Sequence, residues 1–326
     1  MHRMLILLTV SGVVAASLSA CGAGGDGGCK FLDIACHRAR ANAPTASTLS
    51  IFDVRGDRSQ TAISFAGPQL EFERLNPTTL VRGAGRIEIL PGGRTGAPGD
   101  AISLRRAGRD DVELHQSDRV DATGGTFDVF RLSDGPDRSF ELTILNMQHG
   151  GSGLQYATYG IWDESNFDPA DAAARFVRAG AMAFGFPTPL GNMPATGGAT
   201  YLGRMDGRYS DAVAPNLVVS GDARLDADFA GASIAGRFSN VTVDGSAFRD
   251  IAITGQIVSN SNFGTASVGA FTGNLATAPA LAGQAGPDMT GSVDGNFFGP
   301  AAQEVGGIFE LRGGDAVMVG GIVGRR

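Results

Sequence analysis

Apolar and polar side chains alternate with a period of two along the last third of the chain. Leu225, Ala227 and Phe229, for example, are separated by charged residues. Such a period gives a strand one apolar and one polar face, as a half-buried antiparallel sheet requires. Eight segments of this kind, with turn residues between them, follow one another to the C terminus. Eight twisted strands close readily into a barrel that side chains fill. We therefore predict an eight-stranded antiparallel β-barrel with a packed core at residues 193–326.

The polar faces of these strands bear on whether the barrel crosses a membrane. They carry Arg204, Asp226, Asp228, Arg237 and Glu310. A transmembrane barrel would need an apolar outer face with aromatic girdles and a polar interior. Turning these charges inward would leave mostly glycine and small apolar residues toward lipid. A barrel with its polar faces in water is therefore favoured over a membrane barrel.

Residues 48–192 carry shorter strand-like segments bounded by turn residues. Residues 169–179 are the exception. Asp168 suits a helix N-cap, Pro169 suits the first turn, and Gly180 suits the end. We expect a smaller β domain with one short helix in this region, and the chain as a whole belongs to the all-β class.

The N terminus has the pattern of a bacterial lipoprotein signal. Arg3 supplies positive charge, and residues 4–16 are almost all apolar but too few to span a bilayer. The next residues resemble a lipobox, whose cysteine receives a diacylglycerol before the peptide is cut ahead of it: Leu18, Ser19, Ala20 and Cys21. We predict a signal peptide at residues 1–20 and a lipid anchor at Cys21. The alternative is an ordinary secretory signal with a chance cysteine.

Residues 21–47 have the small, polar composition of a flexible tether. Glycine rather than aspartate directly after Cys21 favours, by the same resemblance, sorting to the outer membrane. Cys29 and Cys36 would then lie in an oxidising compartment, and we predict a disulfide between them. The alternatives are two free thiols, or a metal site that includes His37. The metal site is disfavoured because no other His or Cys lies nearby.

The charge balance excludes nucleic acid as a partner. The full chain has a net charge of −7, and loss of Arg3 with the signal leaves 25 basic and 33 acidic residues, or −8. Phosphate binding requires clustered Lys and Arg, whereas the basic residues here come at best in pairs.

Catalytic signatures are missing from the sequence. It contains no His-Glu-x-x-His, Gly-x-Ser-x-Gly or P-loop pattern. We therefore predict that the chain is not an enzyme and that it has no cofactor. A haem group is the one alternative, because His149, Tyr156 or Tyr159 could serve as an axial ligand. The opposing interpretation is that both tyrosines pack within a strand.

Three segments in the last 135 residues resemble the transferrin-binding protein B type of β-barrel surface lipoprotein. Residues 291–309 give a Gly/Phe strand, a Gly-Pro turn and then Ala-x-Glu-x-Gly-Gly-x-Phe. Residues 193–203 resemble the start of the family's barrel, and residues 228–238 its central hairpin. The motif positions, which we expect to be structural, are Gly203, Phe229, Gly295, Phe297, Glu304, Gly306, Gly307 and Phe309.

The resemblance implies a binding protein made of a barrel and a handle-like β domain at residues 48–192. The best-known members bind host transferrin, and relatives bind haemoglobin, haem or complement regulators. This chain has the size of a single lobe, so transferrin itself is not expected, and the ligand-binding residues are unknown. The hypothesis is an outer-membrane-anchored lipoprotein whose loops bind a protein or small solute, iron- and haem-related ligands included. The alternative is a structural envelope lipoprotein with no soluble ligand.

Overall fold

The computed structural model describes residues 63–73, 79–90, 101–106, 111–120, 125–135, 138–146, 153–166, 176–259 and 269–326. The predictions for the signal peptide, the lipobox, Cys21, the tether and the pair Cys29 and Cys36 therefore lie outside the described residues. The described part of the chain contains two antiparallel β-sheets and no α-helix. No helix in these ranges is long and apolar enough to span a bilayer.

The first sheet, which we call the handle domain, has eight strands in the order β4-β3-β2-β1-β8-β7-β6-β5. Their bounds are β1 Ile63–Glu73, β2 Thr79–Leu90, β3 Ala101–Arg105, β4 Val112–His115, β5 Phe127–Asp134, β6 Arg138–Leu145, β7 Ala157–Asn166 and β8 Phe176–Gly185. Short 3-10 helices follow at Gln116–Asp118, after β4, and at Leu190–Asn192, before the second sheet.

The second sheet contains the remaining strands: β9 Gly198–Ser210, β10 Leu217–Asp228, β11 Ser233–Val243, β12 Ser246–Ala247, β13 Ile251–Val258, β14 Ala270–Thr277, β15 Thr290–Phe298, β16 Glu304–Gly313 and β17 Ala316–Arg325. Pairing of β17 with β9 and of β10 with β11 closes eight of them into a barrel, and β12 is a short addition to β11. The predicted all-β class and the predicted eight-stranded barrel are confirmed.

The barrel interior is filled by the apolar side chains of the alternating pattern. Leu225 is fully buried, whereas its neighbour Arg224 is exposed on the outer face. Aromatic rings meet across the interior, with Tyr201 and Phe271 at 5.9 and 5.7 Å from Phe297. The interior of this barrel is apolar and filled with side chains, whereas the lumen of a membrane channel is polar.

Glycine allows β9 and β17 to approach closely enough for closure. A Cβ at Gly203 would lie 2.6 Å from the Cα of Gly324 and against the carbonyl oxygen of Val323. Real Cβ atoms do not approach backbone so closely, so no other residue fits there without shifting a strand. The glycine-rich composition of the chain thus has a steric cause at this seam.

The handle domain curls around a core of its own. Its edge strands β4 and β5 are brought together because Val120 donates to the carbonyl of Val129, at 2.9 Å, beside a bridge between Arg119 and Phe130. Trp162 is fully buried in this core and stacks on Phe140 with ring centroids 6.1 Å apart. The core consists of Ile87, Ile102, Leu104, Leu114, Phe130, Phe140, Leu142, Ile144, Trp162, Met182 and Phe184.

The prediction of a helix at residues 169–179 is wrong for the part of this segment that the structure describes. Residues 176–179 belong to β8, which pairs with β7 and β1, and residues 169–175 lie outside the described residues. The alternation of polar and apolar residues is absent from β8 because both of its faces are covered. Ala179 and Ala183 are buried on one face, and Met182 and Phe184 on the other. Tertiary packing has overridden the helix propensity of alanine.

The two domains pack side by side. Strands β7 and β8 of the handle lie against β16 and β17 of the barrel. A shared apolar cluster joins them, made of Leu145, Leu154, Ala157, Tyr159, Ile161, Ala179, Ala181, Ala183, Phe298, Ile308, Val317, Val319 and Val323. The handle therefore covers part of the outer face of the barrel. Two charged residues of that face, which we expected to lie in water, are not fully exposed. Arg204 is partly covered and Glu310 is buried.

Candidate functional site

A buried polar contact lies at the centre of the interface between the domains. Tyr159 on β7 is fully buried and donates its hydroxyl to the carboxylate of Asp206 on β9. The same carboxylate accepts two bonds from Arg204, at 2.6 and 2.7 Å. The Arg204 guanidinium also lies 4.8 Å from the ring of Phe127 in the handle. A charge-assisted pair of this kind is stronger than a neutral hydrogen bond and fixes the relative position of the two strands.

A second ion pair lies farther along the same two strands. Arg208 on β9 donates to Asp163 on β7 at 2.8 and 3.1 Å and lies 3.6 Å from Glu141 on β6. Burial raises the pKa of Asp163 and of Asp206, although the arginine beside each lowers it. The contacts therefore keep two desolvated carboxylates in place, each with its counter-charge.

Glu304 holds the start of β7. Its carboxylate accepts three backbone N–H bonds from the handle, at 2.6 Å from Gln155 and at 2.8 Å from both Tyr156 and Ala157. Only 3% of Glu304 is exposed. Burial raises the pKa of this carboxyl to about 7, even though the three N–H groups and Arg325 lower it. This motif residue, expected to be structural, thus joins the barrel to the handle.

Replacing Glu304 by glutamine should flatten the pH dependence of stability. The folded protein binds a proton at a pKa of about 7, whereas the unfolded chain releases it near 4.5. The free energy of unfolding of the wild-type protein therefore falls as the pH rises between those values, by up to about 3 kcal/mol for this group. The variant lacks this titration, so its melting temperature should change less between about pH 5 and pH 7.

The control is Ser233→Ala, which changes an exposed side chain on β11 and removes no titrating group. It should retain the wild-type slope of melting temperature against pH. Burial also raises the pKa of Asp163 and Asp206, so these two carboxyls make stability fall with rising pH, as Glu304 does. The Glu304 variant should therefore keep a slope of melting temperature against pH, but a shallower one than the wild type. Equal slopes in that variant and in the wild type would contradict the assignment.

Small residues allow the domains to come this close. A Cβ at Gly321 would lie 2.6 Å from Cγ of Tyr159, and one at Gly306 would lie 3.4 Å from Cβ of Ala157. A valine at position 321 would therefore displace the ring that carries the central hydrogen bond. Gly306 belongs to the family motif and lies at the interface, where a Cβ would also lie 3.0 Å from the ring of Phe298.

The direction of the strands places one set of loops from each domain at a common end. Along β7, Ala157 contacts Glu304, Tyr159 contacts Asp206 and Asp163 contacts Arg208, so β7 and β9 run in the same direction. We call the end to which they run the upper end. It carries the barrel connections 211–216, 244–250, 278–289 and 313–315, together with the hairpin between β5 and β6.

The first described strand starts at the opposite, lower end. Strand β8 descends from Phe176, which pairs with the upper residue Asn166, and β1 is antiparallel to β8. Ile63, the first residue of β1, therefore lies at the lower end. The described part of the handle therefore begins at the lower end, opposite the upper-end connections.

The upper end of the barrel combines exposed apolar side chains with acidic residues. Val213 is 91% exposed and Leu281 is 66% exposed, although both are large hydrophobic residues. Five aspartates lie in these connections, against two arginines of the same region: Asp211, Asp244, Asp250, Asp288 and Asp315, with Arg249 and Arg312. Exposed apolar residues within a polar, charged rim are typical of a surface that contacts another protein.

The motif residues divide between the barrel core and the interface. Phe297 and Phe309 are fully buried in the core, and Phe229 packs beside Phe297 at 5.7 Å. Gly203, Gly295 and Gly307 stand where neighbouring backbone or rings leave no room for a side chain. None of the motif positions lies among the upper-end loops. No sequence pattern marks Asp163 or Arg208, because their pairing depends on docking of the two domains.

The haem alternative involves three residues, of which two are described. The Tyr159 hydroxyl is engaged with Asp206 in a fully buried position, and Tyr156 is half-buried at the lower end of β7. His149 lies outside the described residues. Within the described ranges, no group of three or more His, Cys, Asp or Glu side chains is arranged to hold a metal ion.

Comparison with known proteins gives one family match. Residues 193–326 match the family described as the C-lobe and N-lobe β barrels of Tf-binding protein B. No curated protein matches the sequence. The range of the match coincides with the region predicted from alternation to form the barrel.

Three solved structures are similar to the chain. Intact Ap-TbpB, with N and C lobes, is 13% identical with a TM-score of 0.44, over 81% of this chain and 77% of that one. Isotype 1 transferrin binding protein B from serogroup B Neisseria meningitidis is 14% identical with a TM-score of 0.37, over 81% and 77%. The N-lobe domain of lactoferrin binding protein B of Moraxella bovis is 11% identical with a TM-score of 0.36, over 80% and 98%.

The family match agrees with the closed barrel and with the placement of the motif residues inside it or at its interface with the handle. The C-terminal domain of this chain, residues 193–326, is therefore similar in sequence and in architecture to the family of Tf-binding protein B β barrels.

Proposed function

We propose that this chain is a lipoprotein, anchored in the outer membrane through Cys21, that binds a protein partner with its upper end. The observation that carries the proposal is the common orientation of the two domains. One set of loops from each domain lies at this common end, and the first described strand, β1, starts at the other. An anchored molecule of this form presents its loops away from the membrane.

The chemistry of the upper end supports a protein partner. Val213 and Leu281 would be buried by a partner surface, and burying a large apolar side chain contributes roughly 1.5–3 kcal/mol. The aspartates of the same loops favour a basic rim on the partner, which would raise the association rate. Solved structures similar to this chain include proteins named for binding transferrin and lactoferrin, which makes iron-carrying host proteins the first candidates to test.

The proposed role is non-enzymatic. The family of the barrel domain is named for binding, and the sequence carries no catalytic signature. Among the buried polar groups, those of Tyr159, Asp206 and Glu304 join the domains rather than line an open cleft. A rigid body with loops at one end suits recognition, because little conformational entropy is lost on binding.

Photo-crosslinking from the upper end tests the binding role. A photoreactive amino acid at Val213 or Leu281 should form an adduct with at least one of iron-loaded transferrin, lactoferrin and haemoglobin, or with a component of host serum. The matched control is position 202, because Leu202 is 59% exposed but lies on the side of the barrel. Equal adducts from all three positions, or none from the upper end, would count against the proposal and favour a structural envelope lipoprotein.

The anchor is tested separately by Cys21→Ser. The variant should lose its acyl chains and leave the membrane fraction, since stable anchoring requires two or more chains. Protease treatment of intact cells expressing the wild-type protein should cleave the body if it faces outward. Retention of the serine variant in the membrane would refute the lipid anchor.

A further inference from the structure

The lower end of the barrel differs from the upper end in charge. Three connections of the described chain lie at the lower end, at residues 186–197, 229–232 and 299–303, and their sequences contain no charged residue. The upper-end connections of the barrel, by contrast, contain five aspartates. The two ends of the barrel are therefore suited to different kinds of surface.

The connection between the two domains presents an apolar side chain at this lower end. Leu190 is 42% exposed, and the 3-10 helix that it begins, Leu190–Asn192, contains no buried residue. Met193 follows and packs partly against the barrel core, so the helix lies directly below the barrel. A single exposed leucine is common on protein surfaces, so its meaning depends on the groups around it.

The same connection is held in place by hydrogen bonds at Thr188. Its backbone N–H donates to the carbonyl of Phe297 at 2.8 Å, and its hydroxyl donates to the carbonyl of Gly299 at 2.6 Å. Its own carbonyl accepts from Gly269 at 3.0 Å. The position of Leu190 is therefore set before any contact forms, which reduces the entropy lost on binding.

The exposed charges beside these connections are mainly basic. Arg325 and Arg326 are exposed at the lower end of β17, and the guanidinium of Arg326 donates to the carbonyl of Ala301 at 3.0 Å. Asp228, at the lower end of β10, accepts two backbone N–H bonds within its own turn, both at 3.1 Å. An exposed apolar residue with arginines nearby matches an interface of anionic headgroups over an apolar layer.

We propose that the lower end of the barrel rests on the anionic lipid surface to which the chain is anchored. Leu190 would enter the headgroup layer, and Arg325 and Arg326 would lie near the lipid phosphates. The same surface would repel the aspartates of the upper end, so the charges favour this one orientation. The inference rests on the proposed function, because the lipid anchor at Cys21 brings the body to the membrane.

Fluorescence transfer to labelled lipid tests the contact. The acylated lipoprotein with Cys29→Ser and Cys36→Ser would be reconstituted in vesicles of phosphatidylcholine and phosphatidylglycerol that contain a lipid with a rhodamine headgroup. A donor dye would be attached through Asn192→Cys or through Val213→Cys, both exposed positions. Transfer from position 192 should be more efficient than transfer from position 213.

Substitutions separate the apolar part of the contact from the electrostatic part. Leu190→Asp should abolish the difference in transfer between the two dye positions. Arg326→Ser should lower the ratio of contacting to free bodies, resolved in donor lifetimes, about fivefold, the factor that one arginine contributes at an anionic surface. The matched control is Leu202→Asp, because Leu202 is exposed on the side of the barrel. It should behave like the wild type, and circular dichroism shows whether each variant is folded.

Equal transfer from positions 192 and 213 would overturn the inference, and so would a difference that persists in Leu190→Asp. Self-association that Leu190→Asp abolishes, without transfer to lipid, would assign the lower end to a second copy of the chain instead. Protein that stays on the vesicles with equal transfer would leave the proposed function standing. Release of the wild-type lipoprotein from the vesicles would remove the proposed anchor, and the inference with it.

Discussion

Replacing Phe309 by alanine is expected to lower the free energy of unfolding by about 3–5 kcal/mol. Phe309 is fully buried at the centre of the barrel, where its ring lies 5.2 Å from that of Phe238. Loss of the ring removes apolar contacts and leaves a cavity, because the closed strands cannot collapse around the smaller side chain. Chemical denaturation monitored by circular dichroism measures the change.

Leu202→Ala is the matched control for this prediction. Leu202 belongs to the same barrel but is 59% exposed on its outer face, so its truncation should change stability by less than about 1 kcal/mol. If both substitutions had equal effects, the assignment of inward and outward faces would be wrong, and with it the packed interior.

Replacing Asp206 by alanine should destabilise the protein by about 3 kcal/mol and weaken docking of the handle on the barrel. The change leaves the fully buried Tyr159 hydroxyl without its acceptor and Arg204 without its counter-charge. Because Arg204 is 34% exposed, water can partly solvate its guanidinium once Asp206 is removed. The loss of stability should therefore lie at the lower end of the range found when one partner of a buried ion pair is removed. Loss of docking would appear in calorimetry as two unfolding transitions instead of one.

The barrel offers a control pair with the same geometry on its free side. Arg224 and Asp226 are also two residues apart on one strand and form an ion pair at 2.9 Å, but they are 52% and 43% exposed. Asp226→Ala should therefore cost no more than about 1 kcal/mol. A cost equal to that of Asp206→Ala would mean that burial by the handle contributes nothing to the central contact.

The barrel could be predicted from sequence because most of its strands have one solvent-exposed face. Leu225 and Ala227 alternate with exposed or half-buried charged residues, so the period of two is visible in the chain. Strand β8 carries no such signal, because the barrel covers one of its faces and the handle core the other. Its alanines, Ala179 among them, favoured a helix by propensity, while their small size suits close packing of the handle on the barrel.

The interface could be predicted only in part. Glu304 was identified through its motif, but the motif does not show that its partners are the backbone N–H groups of Gln155, Tyr156 and Ala157. Asp206 lies on the polar face of β9, and alternation alone assigns that face to solvent. Only the docked handle turns it into a buried contact, and contacts between residues some 50–150 positions apart leave no local pattern.

The handle and the barrel are fixed side by side, with one set of loops from each domain at the upper end. Spin-label distances measure this directly in the protein with Cys21→Ser, Cys29→Ser and Cys36→Ser. Each protein would carry two labels, one at Ser133→Cys on the handle and the other at either Val213→Cys or Leu190→Cys. All three positions are exposed. The account predicts a narrow distance distribution for positions 133 and 213, shorter than that for 133 and 190. A broad distribution, or the reverse order of distances, would contradict it.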